Sequence, residues 1–110
     1  MGARQPKLTR TLLDVVEVLL KDDDQLYGLK IAQATGLMTG TVYPILARLV
    51  QARWVTAEWE TADSAAGDTG ARRKFYKLTP DGRQKAQAAV DARDKAQRQT
   101  LSRRTELGLN

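Results

Sequence analysis

The side chains best suited to chemistry in this chain are hydroxyl groups, a phenol and guanidinium groups, and they fall in two short segments. The first, residues 36–50, places small and hydroxyl-bearing residues along an amphipathic run. Hydroxyls and the free backbone N–H groups at a helix start can donate hydrogen bonds to a phosphate oxygen. The second, residues 71–77, holds four basic side chains and no acid, which favours a polyanionic partner. The candidate nucleic-acid contacts are Thr39, Gly40, Thr41, Tyr43, Pro44, Arg48, Arg72, Arg73 and Lys74.

Composition narrows the classes of function. The chain has 110 residues, a net charge of +5 and neither cysteine nor histidine, which removes thiolate nucleophiles, imidazole bases and the usual zinc ligands. We therefore expect no catalysis, no metal and no cofactor. No segment resembles a signal peptide or approaches the roughly 20 apolar residues that span a bilayer, so we expect a cytoplasmic protein without a membrane partner.

Two helices should precede the hydroxyl-rich segment. Apolar residues recur at helical spacing over residues 8–20, with Thr9 and Thr11 as alternative starting points. The acids at 22–24 form either a solvated turn, the favoured interpretation, or a metal site. A second helix is predicted over about residues 26–34, and Gly36 should end it in the left-handed conformation that lets the chain reverse.

The third helix should have one buried and one exposed face. Its apolar residues follow a spacing of 3, 1, 3 and 1, which is a single stripe. We expect Pro44 in the first turn of a helix that begins near Thr41, and the alternative is a kink in a helix that begins at Thr39. The predicted buried residues are Val42, Ile45, Leu46, Leu49 and Val50.

A β-hairpin should follow. Residues 54–60 and 74–78 have the composition of strands, and the polar, glycine-containing loop between them is the predicted wing. Trp54 and Trp59 have two interpretations, packing of the hairpin on the helices, which is favoured, or contact with a ligand.

A long final helix should begin at Thr79, which can cap it, with Pro80 in its first turn. It is predicted to reach about residue 104. Its apolar seam is too thin to hold such a helix against its own domain, so pairing with a second chain is expected. The predicted dimerisation residues are Ala86, Ala89, Val90, Arg93, Ala96 and Leu101.

Two motifs in the expected order resemble the PadR family of bacterial transcriptional regulators. They are Gly40-Thr41-Val42-Tyr43-Pro44 followed by Leu46-x-Arg48-Leu49, and Tyr76-x-Leu78-Thr79-x-x-Gly82. The resemblance covers about residues 8–85. It implies a homodimeric repressor that places the third helix in the major groove, the wing on the DNA backbone and the last helix between subunits.

The sequence departs from the family pattern at two positions. Arg53 stands where relatives usually have glycine after the third helix, and Met38 stands where proline is common. Many relatives respond to small phenolic or drug-like ligands, so a small-molecule effector is also implied. From Asp81 onward, however, the chain has no Phe, Trp or Tyr, which argues against an aromatic effector pocket on the final helix.

Each candidate contact has a structural alternative. Tyr43 could cover the hairpin, and Thr39 or Thr41 could cap the third helix. Arg48 could pair with Glu58 or Glu60. The basic run at 72–74 could be a solvated strand edge.

The sequence as a whole predicts a mainly α protein with a small β-hairpin. The expected organisation is a flexible tail over residues 1–7, a winged helix-turn-helix DNA-binding domain over 8–80, and a C-terminal dimerisation helix with a frayed end over 81–110. The predicted function is a homodimeric transcriptional regulator that binds a pseudo-palindromic site in double-stranded DNA. The alternative is a winged helix that docks on a protein partner without binding DNA.

Overall fold

A computed structural model of the chain describes residues 5–22, 25–60 and 73–108. Four helices and a small antiparallel sheet alternate along the chain, with the helical layer packed on one face of the sheet. In chain order the elements are α1 Arg10–Lys21, β1 Leu26–Tyr27, α2 Gly28–Thr35, α3 Thr39–Gln51, β2 Val55–Trp59, β3 Lys74–Leu78 and α4 Pro80–Glu106.

Helix α1 provides the centre of the core. Its inward residues Leu12, Val15, Val16 and Leu19 are at most 1% exposed, as the helical spacing predicts. Of the two predicted starts, Thr9 is the correct one, because its hydroxyl accepts the Leu12 backbone N–H at 3.2 Å. Thr9 is the N-cap, and the helix itself begins at Arg10, two residues after Leu8, where the predicted apolar run starts.

The segment before α2 is a strand, so the prediction of a helix from residue 26 was wrong at its beginning. Leu26 pairs with Tyr76 and Tyr27 pairs with Phe75 as β1 against β3. Leu26 is 2% exposed. Burial of this side chain and pairing along the free edge of β3 outweigh a local helical pattern. Ala34, which the pattern placed with the apolar residues of the helix, is exposed.

A tight turn joins α2 to α3. Gly36 ends α2 with φ 75° and its N–H bonds the Ala32 carbonyl at 2.9 Å, as predicted for a left-handed C-cap. The Thr35 hydroxyl donates to the Ile31 carbonyl and accepts the Leu37 N–H. These bonds secure the reversal that makes α2 and α3 a helix-turn-helix.

Helix α3 begins at Thr39, so Pro44 lies inside it and the preferred first-turn placement was wrong. In its first turn, the backbone N–H groups of Thr41 and Val42 both donate hydrogen bonds to the Met38 carbonyl. Pro44 lacks the N–H that would bond the Gly40 carbonyl. Because Gly40 is exposed, water can satisfy that carbonyl, and the helix tolerates the proline.

Four of the five predicted stripe residues on α3 are buried, at 2% exposure or less. Val50 is the exception and was assigned wrongly, since it is 37% exposed. It lies near the end of α3, where the core no longer covers the helix.

The sheet has three strands in the order β1-β3-β2 rather than the two strands of a simple hairpin. The β2–β3 pairing runs from Val55 opposite Leu78 to Trp59 opposite Lys74. Trp54 is 2% exposed and packs in the core, whereas Trp59 is 61% exposed. The packing interpretation is therefore confirmed for Trp54 and wrong for Trp59.

The turn between α3 and β2 uses an arginine where glycine would be easier. Arg53 has φ 63°, a conformation that costs a non-glycine residue about 1 kcal/mol. Hydrogen bonds from Ala52, Arg53 and Trp54 to carbonyls in the last turns of α3 hold it there.

Helix α4 begins as predicted. The Thr79 hydroxyl accepts the Gly82 N–H at 2.8 Å, and Pro80 occupies the first position. Its first half packs on α1, with Ala86 and Val90 at 0% and 6% exposure. From residue 95 to 108 every side chain is exposed, so the second half is not covered by its own domain.

Neither a membrane-spanning helix nor a metal site is found in the part of the chain that the structure describes. There, no helix is long and apolar enough to cross a membrane, and no group of acidic residues could hold a metal ion. Asp23 and Asp24 of the acidic turn lie outside the described residues, as do residues 1–4 of the tail and 61–72 of the wing.

Candidate nucleic-acid interface

The two faces of α3 differ sharply in exposure. The stripe of Val42, Ile45, Leu46 and Leu49 is locked in the core at 2% exposure or less. The opposite side of the helix is open to solvent and presents Thr39, Gly40, Tyr43, Pro44, Ala47, Arg48 and Gln51. Small residues alternate with polar ones there, so the helix can approach another surface closely.

The start of α3 is free of side-chain caps. The N-cap residue is Met38, which makes no side-chain hydrogen bond to the helix and is 80% exposed. The capping alternative for Thr39 and Thr41 is therefore not what the structure shows. Thr39 is exposed and Thr41 half-buried, so the Thr39 hydroxyl and the unpaired N–H groups of the first turn are available to an anion.

Tyr43 packs against its own domain and is also exposed, so it fits both interpretations, cover of the hairpin and contact with a partner. A β-carbon on Gly28 would overlap the Tyr43 ring, so that ring lies directly against the start of α2. It also lies beside Tyr76, whose pKa is raised mainly by burial and further by Tyr43. Even so, Tyr43 remains 48% exposed. The residue covers part of the sheet and still presents a surface to solvent.

Arg48 is exposed and forms no ion pair with any residue in the described ranges. Neither of the two acids considered as its ion-pair partners is paired with Arg48. Glu60 is 8% exposed, and its Oε1 accepts the backbone N–H of Arg73 at 3.4 Å. Glu58 is exposed on β2. The ion-pair alternative for Arg48 is thus absent here.

The basic residues at the start of β3 stand over aromatic rings. The Arg73 guanidinium is 4.9 Å from the centre of the Tyr27 ring, and the Lys74 Nζ is 5.4 Å from that of Trp59. Such cation–π contacts orient a side chain without neutralising its charge. Arg72, the remaining member of the predicted set, lies outside the described residues.

Neither Tyr27 nor Trp59 was among the predicted nucleic-acid contacts, and Trp59 had contact with a ligand only as its less favoured interpretation. They line a cleft with Tyr43, Arg73, Lys74 and Tyr76 between α3 and the sheet. In strand alternation Trp59 shares a face with Val55 and Ala57, so the pattern predicts an inward side chain. No signal in the sequence shows that the core ends before this position.

The structure divides the residues assigned to dimerisation. Ala86 and Val90 are buried in the core of their own chain, and Ala89 is half-buried. Ala96 and Leu101 are exposed, with Leu101 at 66%, and line an open apolar groove. Among the six residues assigned to dimerisation, all of which the structure describes, Ala96 and Leu101 in the second half of α4 are the exposed ones.

Arg93 is held by its own chain. Its Nη2 lies 3.0 Å from Glu17 Oε2 and 2.9 Å from Asp94 Oδ1, and its Nη1 lies 3.9 Å from Asp14. The hydrogen bond from Arg93 lowers the pKa of Glu17 against an opposing effect of burial. The bonds to Asp94 and then to Glu17 raise the pKa of Arg93. This cluster joins α4 to α1.

The sequence model of the Transcriptional regulator PadR-like family matches residues 15–88, from α1 into the first half of α4. The chain belongs to this family. No curated protein sequence matches the chain.

Solved structures show the same fold at low identity. MepR of Staphylococcus aureus, a transcription regulator of the multidrug efflux pump MepA, is 21% identical with a TM-score of 0.68, over 88% of this chain and 66% of MepR. A MepR–DNA complex gives the same identity and TM-score over 87% and 65%. A possible transcriptional regulator from Methanosarcina mazei Go1 is 18% identical with a TM-score of 0.58, over 87% and 78%. The chain thus spans just under two thirds of the length of these MepR chains.

Proposed function

We propose that this PadR-like protein is a sequence-specific DNA-binding transcriptional regulator that inserts α3 into the major groove. The observation that carries the proposal is the division of α3 into a fully buried aliphatic stripe and an open face of small, hydroxyl and basic residues. Family membership over residues 15–88 supports the same role.

The proposed contacts divide by type. Thr39 and the first N–H groups of α3 bind a phosphate, while Gly40 and Ala47 keep the helix low enough for a groove about 12 Å wide. Arg48 is free to reach a phosphate or a guanine edge. Arg73 and Lys74 supply backbone attraction that carries little sequence information.

The protein acts in this proposal as a homodimer joined through the second half of α4. Two-fold symmetry then requires two half-sites about one helical turn apart. Occupation of such an operator blocks polymerase, so repression is the proposed outcome. The proposed role places the protein in the cytoplasm, where bacterial DNA lies.

The test is retention of the DNA upstream of the coding region by the purified protein. We expect binding that weakens steeply with salt, because several neutralised phosphates release counterions. Tyr43→Ala should abolish retention with the dimer intact. Tyr43→Phe, which keeps the ring on Gly28 and removes only the hydroxyl, separates the packing role of Tyr43 from its contact role.

Two results would contradict the proposal. An affinity that barely changes between low and moderate salt would exclude binding through phosphates. A parent protein that retains no DNA fragment under any salt condition would favour the rival, a winged helix that docks on a protein.

A further inference from the structure

A cleft separates the exposed face of α3 from the end of the hairpin at which Trp59 pairs with Lys74. Its volume is about 410 Å³, and six of its lining residues are Tyr27, Tyr43, Trp59, Arg73, Lys74 and Tyr76. Four of these are aromatic and two are cationic. The combination suits a partner that carries both apolar surface and negative charge.

The aromatic side of the cleft is built from several elements. Gly28 brings the Tyr43 ring close to the start of α2, since any β-carbon there would displace it. Tyr76, from β3, is 8% exposed. Trp59 stands at the end of β2 with 61% of its surface in solvent. A folded domain gains little from such an exposed indole, so Trp59 is available to a partner.

The cations carry uncompensated charge. Arg73 and Lys74 are exposed, and neither pairs with a carboxylate in the described parts of the chain. Their contacts are with the rings of Tyr27 and Trp59, at 4.9 Å and 5.4 Å. Both charges are therefore held against the aromatic residues of the cleft and remain able to bind an anion.

The position of the cleft identifies the partner. If α3 occupies the major groove and the hairpin reaches the adjacent minor groove, the sugar–phosphate strand that separates those grooves must cross the gap between them. That gap is this cleft. We infer that the cleft grips one strand of the duplex, with Arg73 and Lys74 on its phosphates and the Trp59 face against deoxyribose. This inference rests on the proposed function and adds Trp59 to the DNA contacts, with Tyr27 supporting the Arg73 guanidinium.

Contacts of this kind position the protein and do not read bases. They should therefore form with duplex DNA of any sequence, so the test does not need the operator. A random-sequence 20-base-pair duplex at low salt is the probe.

The first measurement uses acrylamide quenching of tryptophan fluorescence in the full chain. Trp54 is 2% exposed and Trp59 is 61% exposed, so the quenchable emission comes from Trp59, and Trp59→Phe should remove it. Addition of the duplex should protect this emission by at least about twofold, with the same midpoint as DNA retention measured separately.

The outcomes separate this inference from the proposed function. Retention of DNA with unchanged acrylamide access to Trp59 would overturn the inference and leave the DNA-binding role intact. No retention by the parent protein at low salt would defeat both. Protection that follows the retention curve supports both.

Variants provide the second measurement. Trp59→Ala should weaken binding to the random duplex about five- to tenfold, as expected for loss of an aromatic contact to the neutral sugar, without changing the salt dependence. Trp59→Phe, which keeps a flat aromatic face, should lose less affinity for the duplex than Trp59→Ala. Because Trp59 is exposed, thermal stability should stay close to that of the parent. Equal affinity of Trp59→Ala and parent would overturn the inference.

Lys74→Ala tests the cationic part. It should reduce the slope of log affinity against log salt by about one, the value for one lost phosphate contact. Lys95→Ala removes the same charge from an exposed site on α4 outside the cleft, and should leave the slope unchanged. An equal effect of the two variants would show that only net charge matters and would overturn the assignment of Lys74.

Discussion

Gly40 and Gly28 show how a single missing side chain shapes the proposed interface. A β-carbon at Gly40 would meet no atom within 4 Å, whereas one at Gly28 would strike Tyr43. No contact within the described structure thus requires a glycine at position 40, whereas a partner that approaches α3 closely would require one. Gly28 matters to the protein itself, because it sets the position of the Tyr43 ring.

Gly40→Ala should separate DNA affinity from stability. The free energy of unfolding should stay the same or rise by no more than about 1 kcal/mol, since alanine is the better helix residue. A methyl group forced into a close groove contact should cost about 1–3 kcal/mol, or roughly five- to 150-fold in affinity. Chemical denaturation and DNA retention measure the two quantities. Unchanged affinity would show that α3 does not seat closely.

At the scale of elements, Thr79 joins the hairpin to α4. Its hydroxyl accepts the Gly82 N–H at 2.8 Å and donates to the Arg53 carbonyl at 3.0 Å. Gly82 packs on the backbone of Trp54, where a β-carbon would collide with atoms that cannot move aside. One hydroxyl therefore fixes the helix start, the left-handed turn at Arg53 and the base of the sheet together.

Thr79→Val should lower the free energy of unfolding by about 1–2 kcal/mol, because it keeps the shape and removes the cap. Thr79→Ser keeps the hydroxyl and is the matched control, expected within about 0.5 kcal/mol of the parent. Urea denaturation gives both values. A Thr79→Val protein with the same free energy of unfolding as the parent would mean that packing alone holds the start of α4.

The contact between α1 and α4 makes stability depend on pH. Arg93 lowers the pKa of Glu17 from its ordinary value of 4.5, and Lys21 adds to the effect at 3.5 Å. A carboxyl with a lowered pKa stabilises the folded state fully above its ordinary pKa and loses that contribution as the pH falls through the lowered value. The ion pairs of Glu17 should therefore weaken below about pH 4.5.

Glu17→Gln should be less stable than the parent at neutral pH, and the two proteins should converge as the pH falls below about 4.5. Thermal melting across pH measures the difference. Glu106→Gln removes the same charge at the exposed end of α4 and should follow the parent. A constant gap between Glu17→Gln and the parent at every pH would contradict the electrostatic explanation.

At the scale of the whole molecule, α4 extends beyond the domain that holds its first half. Residues 95–108 are all exposed, and the groove formed there by Arg93, Ala96, Gln97, Thr100 and Leu101 is mainly apolar. A helix of this kind gains little stability in isolation. Covering the groove with the same helix of a second chain is the simplest source of the missing burial.

Leu101→Asp should convert the proposed dimer to a monomer, because it places a charge in the proposed contact. Light scattering coupled to size exclusion measures the molar mass. Gln99→Asp adds the same charge on another side of α4, outside the groove, and should remain dimeric. A monomeric parent protein, or a Leu101→Asp dimer as tight as the parent, would rule out this interface.

Local patterns in the sequence determined much of the fold. The 3, 1, 3, 1 spacing fixed which side of α3 is buried up to Leu49, and Gly36 and Thr79 marked a helix end and a helix start. These features depend on neighbours within one or two turns, which the sequence contains directly. The same spacing predicted the open face of α3, whereas the family was indicated by the resemblance of the two motifs at residues 40–49 and 76–82 and not by spacing.

Only the tertiary structure decided where the core ends and which surfaces meet. Strand β1 exists because β3 offers an edge far along the chain, Trp59 and Val50 are exposed because they lie beyond the core, and the Gly28–Tyr43 contact joins two helices. The tertiary structure likewise buries Ala86 and Val90 in the core of their own chain and leaves Leu101 exposed to solvent. Such outcomes depend on contacts between distant segments, and periodicity along one segment carries no information about what packs against it.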